Sequence, residues 1–155
     1  MEQHNLELTY GNDCPYIDLL WRGRIFLSNA VLRLIGKPGG IRFLWNVAKC
    51  TLIIQPTDIS DPGGFPVIGI TYAKNGSMCI GSITLINEIW SVIAEWDKTL
   101  RYRIVAKYNK PANIAIFELK DAVASEIPRN IRGGRPKKKL DKLLHIVNKK
   151  TPLFF

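Results

Sequence analysis

The chain has 155 residues, 46% of them hydrophobic and 23% charged, a balance that allows one ordinary packed domain and excludes wholesale disorder. No apolar run reaches the ~18–20 residues of a membrane span, and the polar opening MEQHNLELTY lacks the basic-then-apolar order of a secretion signal, so a cytoplasmic protein with no membrane partner is expected. The net charge of +9 is unevenly spread: residues 1–127 hold 13 Lys/Arg against 12 Asp/Glu, whereas residues 128–155 hold 9 against Asp141 alone.

In chain order, YIDLLWRGRIFLS is an apolar, branched and aromatic run broken at Gly23 and resumed at Ile25, which reads as two strands. NAVLRLIG places Ala30, Val31, Leu34 and Ile35 at helical spacing, with Ser28 or Asn29 to cap the start and Gly36 to end it. After the turn KPGG, IRFLWN and CTLIIQP read as strands joined by a turn at 46–49 and closed by Pro56. TDISDPGGFP crowds Asp58, Asp61, Pro62, Gly63, Gly64 and Pro66 together and marks an internal boundary.

Beyond it the pattern restarts. VIGITYAKNGSMCIG is strand, turn at Asn75–Gly76, strand. SITLINEIWSVIAEW carries Leu85, Ile89, Val92, Ile93 and Trp96 at spacings of three and four, a short helix. TLRYRIVAKYN and NIAIFELKD are two further strands with Lys110–Pro111 between them. Gly23 falls on Gly76, Ile25 on Met78, Leu27 on Ile80 and Leu32 on Leu85 at an offset of 53, and Leu52 to Ile54 fall on Ile114 to Ile116 at 62. Two copies, about 17–58 and 68–121, each read strand, strand, short helix, strand, strand, and neither buries much core alone. The expected fold is mainly β with short helices, the repeats closing into one pseudo-symmetric β-barrel domain over 1–127.

Gly23-Arg24-Ile25, Leu34-Ile35-Gly36 and the turn glycines Gly39 and Gly40 resemble the swapped-hairpin proteins of the AbrB/MazE type, with tandem copies as in MraZ-type regulators. The departures are specific: no Asp follows the turn glycine, no proline precedes the helix, the DxxxR signature is absent, and Gly76-Ser77-Met78 replaces Gly-Arg-Ile in the second copy. A double-psi barrel, which also pairs two halves, is the competing architecture. The resemblance implies DNA binding by a dimeric or pseudo-dimeric barrel that lays basic side chains on the duplex. Its candidates here are Arg22, Arg24 and Arg42 in the first copy and Lys74, Arg101 and Arg103 in the second. These are equally readable as solvated outward positions. Alternation turns Arg101 and Arg103 outward and Leu100, Tyr102 and Ile104 inward.

RGGRPKKK, from Arg132 to Lys139, resembles an AT-hook, in which Gly134-Arg135-Pro136 would run along a narrow A·T minor groove while Lys137, Lys138 and Lys139 take phosphates. Gly133 moves Arg132 one place further out than in the usual Arg-Gly-Arg-Pro core, and a generic cationic linker over 128–139 is the plain alternative. A polyanion is the expected partner either way. Over 140–155, Leu140, Leu143, Leu144 and Val147 form an amphipathic stripe that would pack on the body or on a second chain, and Leu153, Phe154 and Phe155 add an apolar end that would tuck in or dock a protein partner.

Three scattered cysteines, Cys14, Cys50 and Cys79, read as buried thiols without a disulfide, and with His4 and His145 alone to assist them no metal or other cofactor is expected. None of the GxSxG, HExxH, Walker or GxGxxG patterns occurs, so the chain reads as a binder and not an enzyme. The candidate functions are a regulator or architectural factor on duplex DNA, an antitoxin-like adaptor that holds a protein, and, last, a nucleic-acid-processing enzyme.

Overall fold

The computed structural model describes residues 14–68 and 76–128. The first strand of the second copy, the cationic segment and the C-terminal stripe therefore lie outside the described residues. The chain divides into two units, Met1–Ser125 and Glu126–Phe155, and the architecture below is that of the first.

Among the described residues, ten strands, two short α-helices and one 3-10 turn follow in order: β1 (Tyr16–Leu20), β2 (Arg24–Ser28), α1 (Asn29–Leu34), β3 (Gly40–Asn46), β4 (Thr51–Thr57), β5 (Phe65–Pro66), β6 (Ser77–Gly81), α2 (Ile83–Val92), β7 (Leu100–Val105), β8 (Lys107–Asn109), β9 (Ile114–Glu118), the 3-10 turn (Leu119–Asp121) and β10 (Val123–Glu126). They make two five-stranded sheets, one ordered β10-β7-β1-β2-β6 and the other β5-β3-β4-β9-β8. The pairings β1–β2, β1–β7, β2–β6, β3–β4, β3–β5, β4–β9 and β8–β9 are all antiparallel. The mainly β class with short helices is what the sequence predicts. Closure into a barrel is not seen among the described residues, where each sheet has two open edges.

Alternation decides which side of each sheet is wet. Ile17, Leu19, Ile25, Leu27, Met78, Ile80, Tyr102 and Ile104 line the inner face of the first sheet. Ile41, Leu52, Ile54, Ala115 and Phe117 come from the second, and both sets belong to one core cluster with Val31 and Leu32 of α1 and Ile86, Ile89 and Trp90 of α2. Most of these side chains are fully buried, and each stabilises the fold by about 1.5–3 kcal/mol relative to exposure.

The first helix ends as its glycine predicts. Gly36 has φ +95°, its amide donates to the Arg33 carbonyl at 3.1 Å, and the Lys37 amide donates to the Leu32 carbonyl at 2.7 Å, the paired bonds of a Schellman ending. Its start differs from expectation. Ser28 is the N-cap residue but makes no side-chain cap bond. Its hydroxyl instead accepts from the Tyr16 amide and donates to the Cys14 carbonyl, tying the entry of β1 to β2.

The second helix is shorter than its apolar spacing. It stops at Val92, capped at its start by Ser82. Ile86, Ile89 and Trp90 face the core, whereas Val92 is exposed and Trp96 lies beyond the helix. TLRYRIVAKYN is also not one strand. It breaks at buried Ala106, whose amide donates to the Pro15 carbonyl, so β7 joins the first sheet and β8 the second. Pro56 lies within β4 beyond the last residue paired with β9, where a missing N–H costs the ladder least. Of the three free cysteines, Cys14 and Cys50 are half-buried and Cys79 is exposed, which corrects the expectation of buried thiols. Cys79 sits on β6 opposite Phe26, on the face turned away from the core.

Candidate nucleic-acid interface

The outward face of the first sheet gathers most of the predicted cations that can be described. Residues directly opposite on neighbouring strands share a face. Arg101 on β7, Leu20 on β1 and Arg24 on β2 therefore form one row, and Arg103, Asp18, Phe26 and Cys79 form the next. Arg22 is exposed in the adjoining β1–β2 turn. The outward placement of Arg101 and Arg103, with Tyr102 and Ile104 inward, is as alternation predicts.

Asp18 is the residue the sequence reading passed over. It sits in an apolar run, YIDLLW, and is only 3% exposed. A buried carboxylate is expensive without partners, and its partners are the arginines. Arg103 Nε donates to Oδ1 at 2.8 Å and Nη2 to Oδ2 at 2.9 Å. Arg101 Nη1 stands 3.7 Å from Oδ2, and its Nε donates to Ser125 Oγ at 3.1 Å. The Arg103 guanidinium also lies 3.7 Å over the Tyr16 ring, a cation–π contact. The hydrogen bonds that Arg103 donates to Asp18 raise the Arg103 pKa above its ordinary value, and burial raises that of Tyr16. Two fixed guanidiniums thus meet one carboxylate, and the cluster keeps one unit of positive charge.

Above this cluster is a cavity of about 350 Å³ lined by Arg101, Arg103, Val105 and Lys107 from the β7–β8 run and by Asp121, Val123 and Ser125 around β10. Lys107 Nζ is 3.8 Å from Asp121 Oδ2, with both side chains largely exposed, a pair worth little in water. Neither Lys107 nor Ser125 was singled out from sequence. The alternation of Arg101, Arg103, Val105 and Lys107 was the available signal.

Arg42 is placed differently. It stands on β3 of the other sheet and is held by Asp61 of the β4–β5 loop, Nη2 to Oδ1 at 2.7 Å and Nε to Oδ2 at 3.1 Å. Asp61 also accepts from the Thr57 hydroxyl and the Gly63 amide. These hydrogen bonds, that from Arg42 foremost, lower its pKa to about 2. The structure separates Arg42 from the other arginines and gives it a loop-fixing contact. Lys74, Arg132, Gly134, Arg135, Pro136, Lys137, Lys138 and Lys139 lie outside the described residues, as do Leu140, Leu143, Leu144, Val147, Leu153, Phe154 and Phe155.

Among the described residues, no group of three or more His, Cys, Asp or Glu side chains is placed to hold a metal ion, and no helix is long and apolar enough to cross a membrane. The fold defines a two-sheet antiparallel β protein with a cationic patch on one outer face. No protein-family model matches the chain, and neither a curated protein nor a solved structure matches it.

Proposed function

We propose that this chain binds duplex DNA, as a transcriptional regulator or architectural factor, with the cationic 128–155 segment as anchor and the Arg22, Arg24, Arg101 and Arg103 face as a second contact. The carrying observation is the charge distribution: +8 of the +9 resides in the last 28 residues, beside a body of net +1. Such a segment gains affinity by releasing counterions from phosphates. The Gly134-Arg135-Pro136 core favours A·T-rich sites, where a narrow minor groove attracts arginine. No catalytic step belongs to this reading.

The body is proposed to be a tandem AbrB-like repeat, acting alone or as a homodimer, in the cytoplasm and associated with the nucleoid. The two hairpin turns support the repeat at an offset of 63, which carries buried Leu52 and Ile54 onto buried Ala115 and Phe117 and corrects by one residue the 62 read from the sequence. Asn46 Oδ1 accepts from the Lys49 amide and Asn109 Oδ1 from the Ala112 amide, both at 3.1 Å, and Cys50 and Asn113 close the turns with φ of +50° and +54°. Phe26 and Cys79, 53 residues apart, pair directly at the centre of the β2–β6 ladder, the spacing at which the sequence repeats. A protein-docking adaptor is the second reading, favoured by the stripe of Leu140, Leu143, Leu144 and Val147 and by the Leu153-Phe154-Phe155 end.

The test is fluorescence anisotropy on A·T-rich and G·C-rich duplexes across a salt series. The wild-type chain is compared with a variant carrying Gln at Arg132, Arg135, Lys137, Lys138 and Lys139. The expected result is binding whose salt slope flattens by roughly 4 to 5 in the variant, about 0.9 per lost phosphate contact. Absence of wild-type binding at low salt would refute the DNA reading and turn attention to a protein that captures Leu140 to Phe155.

A further inference from the structure

The cavity over the outward face of β7 and β10 has two unlike walls. Arg101, Arg103 and Ser125 form a polar one, and Val105 and Val123 supply an apolar one, with Lys107 and Asp121 at the rim. Arg103 spends Nε and Nη2 on Asp18, whereas Arg101 donates Nε to Ser125 and holds Nη1 at an ion-pair distance of 3.7 Å from Asp18 Oδ2. Arg103 Nη1 and Arg101 Nη2 have no further hydrogen-bond partner among the described residues. Asp18 thus fixes the Arg103 fork with two hydrogen bonds and Ser125 fixes that of Arg101 with one, and their remaining N–H groups are available to a further acceptor. At about 350 Å³ the space exceeds what a bare phosphate needs and falls at the small end of organic-ligand sites. Ser125 Oγ already accepts from Arg101, so its own hydrogen is available to a second oxygen.

We propose that this cavity seats one sugar–phosphate unit of the duplex backbone, the phosphate on Arg101, Arg103 and Ser125 and the apolar side of the sugar on Val105 and Val123. The assignment rests on the DNA-binding reading above. It makes the body a positioning contact, because phosphate contacts set register and orientation without reading sequence. Asp18 acts through the arginines, as their fixed counter-charge.

The experiment uses the full chain and rim substitutions that leave the Asp18 cluster intact. Lys107→Gln removes a rim cation, Asp121→Asn removes a rim anion, and Val123→Trp fills the cavity from a position 61% exposed. Val47→Trp, at an exposed turn on the other sheet, is the control. Thermal melts confirm that each variant is folded. The expected pattern on duplex DNA is opposed in sign: Lys107→Gln flattens the salt slope by about 0.9, Asp121→Asn steepens it by a similar amount, and Val123→Trp weakens binding at least threefold while Val47→Trp leaves it unchanged.

If wild type binds and the five-Gln variant is weakened, but Lys107→Gln, Asp121→Asn and Val123→Trp all behave as wild type, the cavity assignment is overturned and the DNA reading stands. If wild type does not bind duplex at all, both fall. A titration with inorganic phosphate, read by amide shifts of β7 and β10, separates the remaining source. Saturable phosphate binding in the cavity that leaves duplex affinity untouched would assign it to a free anion and overturn the backbone contact.

Discussion

Replacing Asp18 by Asn gives opposite expected effects on stability and on DNA binding. The carboxylate is 3% exposed and accepts two charge-assisted hydrogen bonds from Arg103, with Arg101 at 3.7 Å. Breaking a fully buried pair from one side costs about 3–5 kcal/mol. Here the Arg103 side chain is 36% exposed, so water relieves part of that penalty. Asn keeps the shape and one acceptor oxygen, but turns its amide hydrogens toward a guanidinium. The expected loss is about 2 kcal/mol, read as a lower urea midpoint with unchanged slope. The emission of Trp21, Trp90 and Trp96, which are in ring contact with one another or with Tyr102, reports the transition.

The same change leaves both guanidiniums without their counter-charge on the outward face. Duplex affinity should rise, with a salt slope steeper by up to about 0.9. A cycle combining Asp18→Asn with Arg103→Gln should return a coupling energy of about 1.5 kcal/mol or more. A stability loss under about 0.5 kcal/mol, with no coupling to Arg103, would refute the ion-pair account. A salt slope no steeper than that of wild type in a folded Asp18→Asn protein would refute the account of this face as phosphate-directed.

Asp61 has a folded pKa of about 2 against an ordinary 3.8. A depressed carboxylate stabilises fully above its unfolded value and loses that contribution as pH falls through the folded one. The loss should therefore fall between about pH 4 and pH 2, be absent in Asp61→Asn, and be followed by denaturant melts across that range. Asn46→Ala and Asn109→Ala should each cost about 1 kcal/mol, since each removes the same side-chain-to-amide bond from a four-residue turn; a large cost at one and none at the other would count against the repeat. Phe117→Ala should cost about 3–4 kcal/mol because the ring is fully buried where β9 meets the core, and a loss below 1.5 would mean that the cavity collapses.

What could be read from the residues was local. Apolar alternation located most of the described strands, Gly36 marked the end of α1, and the crowded Asp, Pro and Gly residues of 57–66 marked the loop after β4. What could not be read depended on partners distant in sequence. The strand through Arg101 to Asn109 splits because the Ala106 amide bonds to Pro15, some 90 residues earlier. The edge strand β10 exists because β7 offers it a ladder, and VASE has too little alternation to announce it. Val92 and Trp96 share a helical spacing with Ile89, yet the helix ends at Val92 and Trp96 instead stacks on Tyr102 at 4.1 Å, a contact that no local period contains.

The arginines make the more general case. From the sequence, Arg42, Arg101 and Arg103 are alike: basic residues on alternating strands. The structure divides them by what each carboxylate near them is doing. Asp61 lies in a turn, takes a single arginine and leaves that site neutral. Asp18 lies inside an apolar run, cannot be solvated, and holds two arginines. An acid that interrupts a strand's apolar pattern is thus itself a signal, because burial obliges it to recruit cations from the neighbouring strand. Where it recruits more cations than it can neutralise, the excess charge faces outward at a fixed place. In a body with a net charge of only +1, the proposed DNA-binding role therefore asks such a fixed excess to orient a polyanion held by the cationic segment, since it is too small to capture one alone.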